Sequence, residues 1–198
     1  MEEALIVIDM QNDFCPGGAL AVAGGDEIVP LVNTMMARFD HVVLTQDWHP
    51  DGHSSFASRH PGKNPFETVT MPYGEQTLWP DHCVQGSEGA AFHTGLEWTK
   101  AELVIRKGFR KEIDSYSAFF ENDHKTPTGL AGYLKERGIS KVTLAGLATD
   151  FCVAYSAIDA VRWGLQATVI MEACRAIDLG SSLSAMTERM KGAGVTLA

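Results

Sequence analysis

Three residue types far apart in the chain could together form a nucleophilic catalytic site: a cysteine, an aspartate and a lysine. Cys152 stands in GLATDFCV, at a predicted turn from a buried strand into a helix. Backbone N–H groups in the first turn of a helix favour a thiolate and could hold an oxyanion. A cysteine in an apolar helix is also a common small core residue, so position alone does not decide between the two interpretations.

Asp9 and Lys107 would give this cysteine a base and a counter-charge. Asp9 follows the apolar run LIVI, and Lys107 ends the run ELVIRK. A carboxylate at the end of a buried strand is costly unless it is paired or functional. We expect Asp9 to accept the proton of the Cys152 thiol while Lys107 balances the charge, which needs no histidine. The alternative interpretation is a structural Asp–Lys pair without a catalytic role.

A histidine-rich segment offers ligands for a metal ion. Asp47 and His49 stand two residues apart in QDWHPDGHSSF, and His82 lies in LWPDHCVQG. A carboxylate with imidazoles suits zinc, iron or manganese. His53 and His60 are further candidates, although a single histidine is more often a surface or core residue than a ligand.

Strands and helices alternate along the chain. Apolar, β-branched runs typical of buried strands occupy residues 4–9, 41–46, 102–107, 141–147 and 167–172, with a weaker sixth at 194–198. Helical patterns occupy residues 27–39, 126–138, 149–164 and 181–194. This alternation predicts a three-layer α/β/α fold with a mostly parallel central sheet of about six strands.

The predicted sheet would bring the candidate residues together. Ligands of such sheets bind at the carboxyl ends of the strands, where Asp9, Asp47, Lys107 and Cys152 all stand. We therefore expect these four side chains to face one crevice. The segment 47–98 does not fit the alternation, and long connections of this kind are usually functional. We expect it to carry the metal and substrate contacts.

Composition and charge describe one ordinary domain over residues 1–198. The chain is 45% hydrophobic and 21% charged, which suits a folded protein of this length. Its net charge of -9 argues against nucleic acid or an anionic membrane as a partner. No apolar run approaches the ~20 residues that cross a bilayer. The acidic start MEEALIVIDMQ and four cysteines without disulfide-like spacing predict a cytoplasmic protein with free thiols.

Five ordered motifs resemble the nicotinamidases of the isochorismatase-like cysteine hydrolase superfamily. They are LIVIDMQNDFCPGGALAV at 5–22, TQDWHPDGHSSFAS at 45–58, LWPDHCVQGSEGAAFH at 78–93, IRKGFRKEIDSYSAFF at 105–120 and LAGLATDFCVAYSAIDA at 144–160. The resemblance covers nearly the whole chain and implies an isochorismatase-like, Rossmann-like topology. It also implies an amidohydrolase of linear amides that converts nicotinamide to nicotinate and ammonia through a Cys152 thioester, in NAD salvage, and that also accepts pyrazinamide.

The resemblance assigns catalytic and metal roles by motif position. Its catalytic trio falls on Asp9, Lys107 and Cys152. Its ligands for one divalent ion (Zn, Fe or Mn) fall on Asp47, His49 and His82. His53 falls where some relatives use another histidine and others use water, so the resemblance leaves its role open.

The resemblance also implies where the substrate binds. The backbone N–H groups of Ala148 and Cys152 match the family's oxyanion hole, with an unusual cis peptide just before Ala148. The positions that line the family's flat aromatic pocket are Phe14, Leu20, Trp79 and Tyr116, with Phe151 in a variable place beside them. Nicotinamide would enter with its pyridine nitrogen toward the metal.

Two other interpretations of the motifs remain. One is another amide- or carbamoyl-cleaving cysteine hydrolase of the same superfamily, and the other is a non-catalytic metal- or ligand-binding domain. The DWH and WPDHC motifs favour the nicotinamidase-like branch, and the complete trio disfavours a non-catalytic domain. An isochorismatase is disfavoured because those enzymes typically lack the cysteine. The relatives range from monomers to larger assemblies, so a homo-oligomer stays open.

Overall fold

A six-stranded parallel sheet forms the centre of the computed structural model, which describes residues 2–198. The strands in chain order are β1 (Glu2–Ile8), β2 (His41–Asp47), β3 (Thr68–Met71), β4 (Gly74–Thr77), β5 (Leu103–Lys107), β6 (Ile139–Leu147), β7 (Gln166–Arg175) and β8 (Thr196–Leu197). The order across the sheet is β5-β2-β1-β6-β7-β8, with every neighbouring pair parallel. The predicted sheet of about six strands is confirmed.

Helices cover both faces of this sheet. Within the described residues they are α1 (Val29–Met36), α2 (Leu130–Glu136), α3 (Ala154–Arg162) and α4 (Ser182–Ala193). Side chains of a strand point alternately to opposite faces. Ile6 and Ile8 accordingly pack in one hydrophobic cluster with α2, α3 and α4, while Leu5 and Val7 pack in the other with α1. The three-layer α/β/α architecture is therefore confirmed, and none of these helices is long and apolar enough to span a membrane.

The helices begin and end within the predicted ranges, but two of them start differently. Thr126 was expected to open a helix, yet its N–H and hydroxyl both donate to the Asp123 carboxylate in a turn. The helix therefore begins only at Leu130. The predicted helix at 149–164 opens with a π-helical turn, Thr149–Val153, before α3 continues it.

Short backbone bridges join distant parts of the long segment 47–98, and one bridge, from Phe92 to Gln11, joins the segment to the turn that follows β1. One bridge joins His49 to Val84, and another joins Phe56 to Trp79. The segment also contains the antiparallel hairpin of β3 and β4, which the sequence patterns did not predict. Side chains of β3 alternate between exposed and half-buried, and the one buried side chain of β4 is the polar Gln76, so the hairpin lacks the continuous apolar run that marks the sheet strands.

Candidate active site

Four neighbouring strands deliver the predicted site residues to one edge of the sheet. Asp9 directly follows β1, Asp47 ends β2, Lys107 ends β5, and Cys152 lies in the π-helical turn that follows β6. Because β5, β2, β1 and β6 are adjacent in the sheet, their carboxyl ends meet. The structure thus brings the four side chains into one buried cluster, as the strand pattern predicts.

Lys107 is the centre of this cluster. Its Nζ lies 2.7 Å from Asp9 Oδ2 and 2.9 Å from Asp47 Oδ1, and it donates to Cys152 Sγ at 3.4 Å. Burial lowers the pKa of Lys107, but the charges of Asp47 and Asp9 outweigh it and hold the pKa well above its usual value. The two carboxylates therefore favour the charged form of the lysine, which joins the cysteine to the metal-ligand candidates, a link that sequence reasoning did not include.

Asp9 is held by its neighbour Thr45 on β2. The Thr45 hydroxyl donates to Asp9 Oδ1 at 2.6 Å and accepts from the Asp9 N–H at 3.1 Å. Burial raises the pKa of Asp9 and outweighs the opposing charge of Lys107. A raised pKa makes the carboxylate a better proton acceptor. Sequence reasoning missed Thr45, although a threonine inside the apolar run HVVLTQ is a detectable signal of a buried polar partner.

The surroundings of the Cys152 thiol favour its protonated form. Burial raises its pKa well above the usual value, and the nearby charge of Lys107 lowers it only partly. Burial thus opposes the thiolate that the first turn of a helix would favour. The thiol needs a base, and the Asp9 carboxylate is the candidate, because it shares the Lys107 ammonium group with the sulfur.

Two side chains anchor the turn that carries Cys152. Ser156 on α3 donates to the Cys152 carbonyl at 2.6 Å and accepts from the Ala118 N–H at 2.8 Å. Asp150, also buried, accepts from the N–H groups of residues 177 and 178 and from the Ser182 hydroxyl. Hydrogen bonds therefore fix the turn that carries Cys152 to the loop at Ala118 and to the segment 177–182.

Asp47, His49 and His82 converge as a group of buried metal donors. One ligand atom of each lies within 4.8 Å of the others. Nε2 of His49 and Nε2 of His82 lie 2.9 and 3.3 Å from Asp47 Oδ2. Burial raises the pKa of Asp47, but the charges of His49 and Lys107 outweigh it and hold the pKa well below its usual value.

The histidine tautomers in this group suit a metal. The Nδ1 atoms of His49 and His82 lie 3.0 Å from the Gly108 carbonyl and 2.8 Å from the Pro80 carbonyl. A nitrogen facing a carbonyl carries the proton, so each Nε2 is left to bind an ion beside Asp47. Gly108 makes the close approach feasible, since a Cβ at this positive-φ position would overlap the His49 ring. The residues present therefore fit a divalent ion.

His53 and His60, the two further candidates, bind elsewhere. His53 Nε2 lies 2.9 Å from the Arg110 carbonyl and 3.1 Å from the Ile113 carbonyl, and its Nδ1 lies 2.8 Å from Ser55 Oγ. Both ring nitrogens of His53 are thus engaged, although His53 also forms a second group of possible metal donors with His49 and Asp114. His60 Nε2 lies 2.8 Å from the carbonyl of residue 54 and belongs to neither donor group.

Aromatic side chains gather beside the site. The ring centroids of Trp79 and Phe151 lie 4.9 Å apart, those of Tyr116 and Phe151 5.6 Å, and those of Phe14 and His82 5.6 Å. Trp79 Nε1 donates to the Tyr116 hydroxyl at 3.2 Å. Leu20 belongs to the same hydrophobic cluster as these aromatic residues. Trp79, Tyr116 and Phe151 therefore contact one another, Phe14 lies beside His82, and Leu20 packs in the same face of the core.

The peptide plane at Ala148 is fixed next to the nucleophile. The Leu147–Ala148 peptide is cis, as the resemblance implies. The Ala148 carbonyl accepts hydrogen bonds from Phe151 and Val153 at 3.2 and 3.1 Å, so it points into the turn. The Ala148 backbone is thereby held against the turn that contains Cys152.

Comparison with known proteins shows the family. The isochorismatase domain matches residues 3–198, and the chain belongs to the isochorismatase family. A nicotinamidase of Acinetobacter baylyi is 58% identical over 192 residues, which covers 97% of this chain and 90% of the relative. A solved nicotinamidase/pyrazinamidase of Acinetobacter baumanii has a TM-score of 0.98 at 56% identity and covers 99% of this chain and 95% of its own.

Two further solved relatives contain bound groups. A protein of L. infantum in complex with nicotinate has a TM-score of 0.87 at 40% identity and covers 100% of this chain and 92% of its own. A pyrazinamidase of Pyrococcus horikoshii in complex with zinc has a TM-score of 0.80 at 35% identity and covers 100% and 99%.

Proposed function

We propose that the protein hydrolyses nicotinamide to nicotinate and ammonia in NAD salvage, through a thioester on Cys152, and that it also accepts pyrazinamide. The observation that carries this proposal is the contact of one buried lysine with both Asp9 and Cys152, beside a set of metal donors and an aromatic cluster. The nicotinamidase relatives, similar along nearly the whole chain, support the same substrate.

The first half of the reaction forms the thioester. Asp9 takes the proton of the Cys152 thiol, and the thiolate attacks the carboxamide carbon of the substrate. Lys107, in contact with both groups, compensates the negative charge as it moves from carboxylate to sulfur. The N–H groups of Ala148 and Cys152 hold the oxyanion. Asp9 then returns its proton to the amide nitrogen, the C–N bond breaks, and ammonia leaves.

The second half releases the acid. Asp9, again a carboxylate, takes a proton from a water molecule that attacks the thioester carbon. The tetrahedral species collapses with cleavage of the C–S bond, and nicotinate leaves. Asp9 returns the proton to the sulfur, which restores the neutral thiol that burial favours.

We propose that Asp47, His49 and His82 hold one divalent ion, with zinc, iron and manganese as the candidates. The zinc complex of the Pyrococcus horikoshii relative supports an ion of this kind. A bound ion would supply a Lewis-acidic anchor for the ring nitrogen of the substrate. The ring itself would lie among Phe14, Leu20, Trp79 and Tyr116. Trp79 and Tyr116 hold each other in place for this purpose through their hydrogen bond.

We also propose that residues 1–198 act as a single hydrolase domain with a small-molecule substrate in the cytoplasm. The match of the family domain to residues 3–198 supports the single domain. The net charge of -9 makes nucleic acid and anionic membranes unsuitable partners. An assembly of several copies is compatible with this function.

The direct test is ammonia release from a panel of amides. We expect activity on nicotinamide and pyrazinamide and none on carbamoylated amines or aliphatic amides, because aromatic side chains beside the site would pack against a ring. A preference for carbamoylated amines would contradict the proposal and assign the chain to another branch of the superfamily.

Asp9→Asn should lower kcat strongly with the fold retained. An amide cannot accept the thiol proton, and positioned bases contribute on the order of 10²- to 10⁴-fold to a rate. Lys107 keeps its ion pair with Asp47, so the cluster stays compensated. Steady-state ammonia release measures the effect. Asp159→Asn is the matched control, because Asp159 is a buried carboxylate on α3, away from the site. Equal kcat in Asp9→Asn and the wild type would remove Asp9 from the base role.

His82→Ala should lose the bound metal. With one of the three donors removed, the remaining Asp47 and His49 cannot close the site. We expect about one ion per chain in the wild type and much less in the variant, by elemental analysis after dialysis. His60→Ala, which changes a histidine outside the donor group, should keep its metal. Unchanged metal content in both His82→Ala and His49→Ala would disprove the assigned ligands.

A further inference from the structure

Gln11 is a fully buried side chain that binds both backbone groups of Asp47. Its Oε1 accepts from the Asp47 N–H at 2.8 Å, and its Nε2 donates to the Asp47 carbonyl at 2.8 Å. Nε2 also donates to the Ala90 carbonyl at 2.9 Å and lies 3.4 Å from Cys83 Sγ. One amide therefore joins the turn after β1, the end of β2 and the segment around residues 83–90.

The Gln11 amide is linked to all three candidate metal ligands, to Asp47 by hydrogen bonds and to His49 and His82 through Cys83. Gln11 holds Asp47 directly, through both the N–H and the carbonyl of that residue. The His49 N–H donates to the Cys83 carbonyl at 2.9 Å, and Cys83 directly follows His82. The Gln11 side chain is neutral and uses its acceptor and donor groups on backbone partners, so it acts on the donors through position and not through charge.

We propose that Gln11 is a positioning residue that sets the affinity of the site for its divalent ion. This inference rests on the metal site proposed above. Without the amide, the buried N–H and carbonyl of Asp47 lose their partners, and the strand end must shift to find others. The donors would then no longer be preorganised for an ion. Outer partners of this kind typically change metal affinity by about 10- to 100-fold.

The test compares Gln11→Leu with Gln46→Leu. Gln46 is a matched control because its buried amide donates to the same Ala90 carbonyl, at 3.0 Å, and makes no hydrogen bond to the Asp47 backbone. Zinc affinity is measured by competition with a chromogenic chelator, which needs no catalytic activity. We expect about 10- to 100-fold weaker zinc binding in Gln11→Leu and wild-type affinity in Gln46→Leu. Circular dichroism of the metal-free proteins checks the fold, and Gln11→Met replaces the leucine variant if that variant does not fold.

The outcomes separate this inference from the proposed function. Equal zinc affinity in Gln11→Leu and the wild type would overturn the positioning role while leaving the metal site intact. Equally weakened binding in both glutamine variants would also overturn it, because the cause would then be a general loosening of the loop. A wild-type protein that takes up no zinc, iron or manganese would overturn the metal site, and this inference with it.

Discussion

Cys152→Ala should abolish ammonia release from nicotinamide while leaving the fold intact. Removal of a nucleophile typically costs on the order of 10⁴-fold or more in rate, since the remaining groups only bind and polarise the substrate. The substitution removes one small buried atom group, so the sheet and the turn anchored by Ser156 and Asp150 should persist. Ammonia release measures the loss of activity, and circular dichroism measures whether the fold is retained.

The other cysteines supply the control for this variant. Cys174 is also buried, and its thiol pKa is raised to about 12 by burial. It lies on β7, outside the Lys107 cluster, so Cys174→Ala should keep its activity. Intact-mass analysis of the rapidly quenched wild type should detect the acylated protein. Full activity in Cys152→Ala would rule out the covalent mechanism.

Lys107→Met should produce the largest loss of stability as well as a loss of activity. The substitution leaves the carboxylates of Asp9 and Asp47 buried without their shared cation. Removing one partner of a buried ion pair typically costs about 3 to 5 kcal/mol in the free energy of unfolding. Urea denaturation measures the free energy of unfolding. The protein is first treated with a chelator, because a bound ion would itself compensate the charge of Asp47 and reduce the loss of stability.

A second variant distinguishes charge from packing as the source of this loss. In Asp9→Asn/Lys107→Met one of the uncompensated carboxylates is gone, so the double variant should be more stable than Lys107→Met alone. Lys135→Met, on the exposed side of α2, should leave the free energy of unfolding unchanged. Equal stability of the wild type and Lys107→Met would show that the ion pairs add nothing to the fold.

Much of the fold could be predicted because the central strands are buried on both faces. Ala4 to Ile8 form a continuous apolar run, and its end at Asp9 locates the carboxyl edge of the sheet. The same rule placed Asp47 and Lys107 correctly. The β3–β4 hairpin was not predicted, because it is short and half-exposed and thus carries no comparable pattern.

The residues that support the site were harder to predict than the residues that form it. Thr45 and Gln11 act on Asp9 and Asp47 across the sheet, at a sequence distance of 36 residues in each case. Such contacts depend on which strands are neighbours and in which register, and an apolar pattern specifies neither. For the same reason the sequence indicated a pair of Asp9 with Lys107 but not the simultaneous contact of Lys107 with Asp47.

The strand order also determines when the site can form during folding. The segments that carry Asp9 and Cys152 come together only when β1 pairs with β6, where Ile8 lies opposite Gly146. Parallel pairing between such distant segments forms slowly, because a long loop must close first. A chain that has been synthesised only as far as β6 contains the base, the lysine and the candidate metal ligands, but it does not yet contain the nucleophile. The nucleophile can therefore reach its base only after β6 has paired with β1.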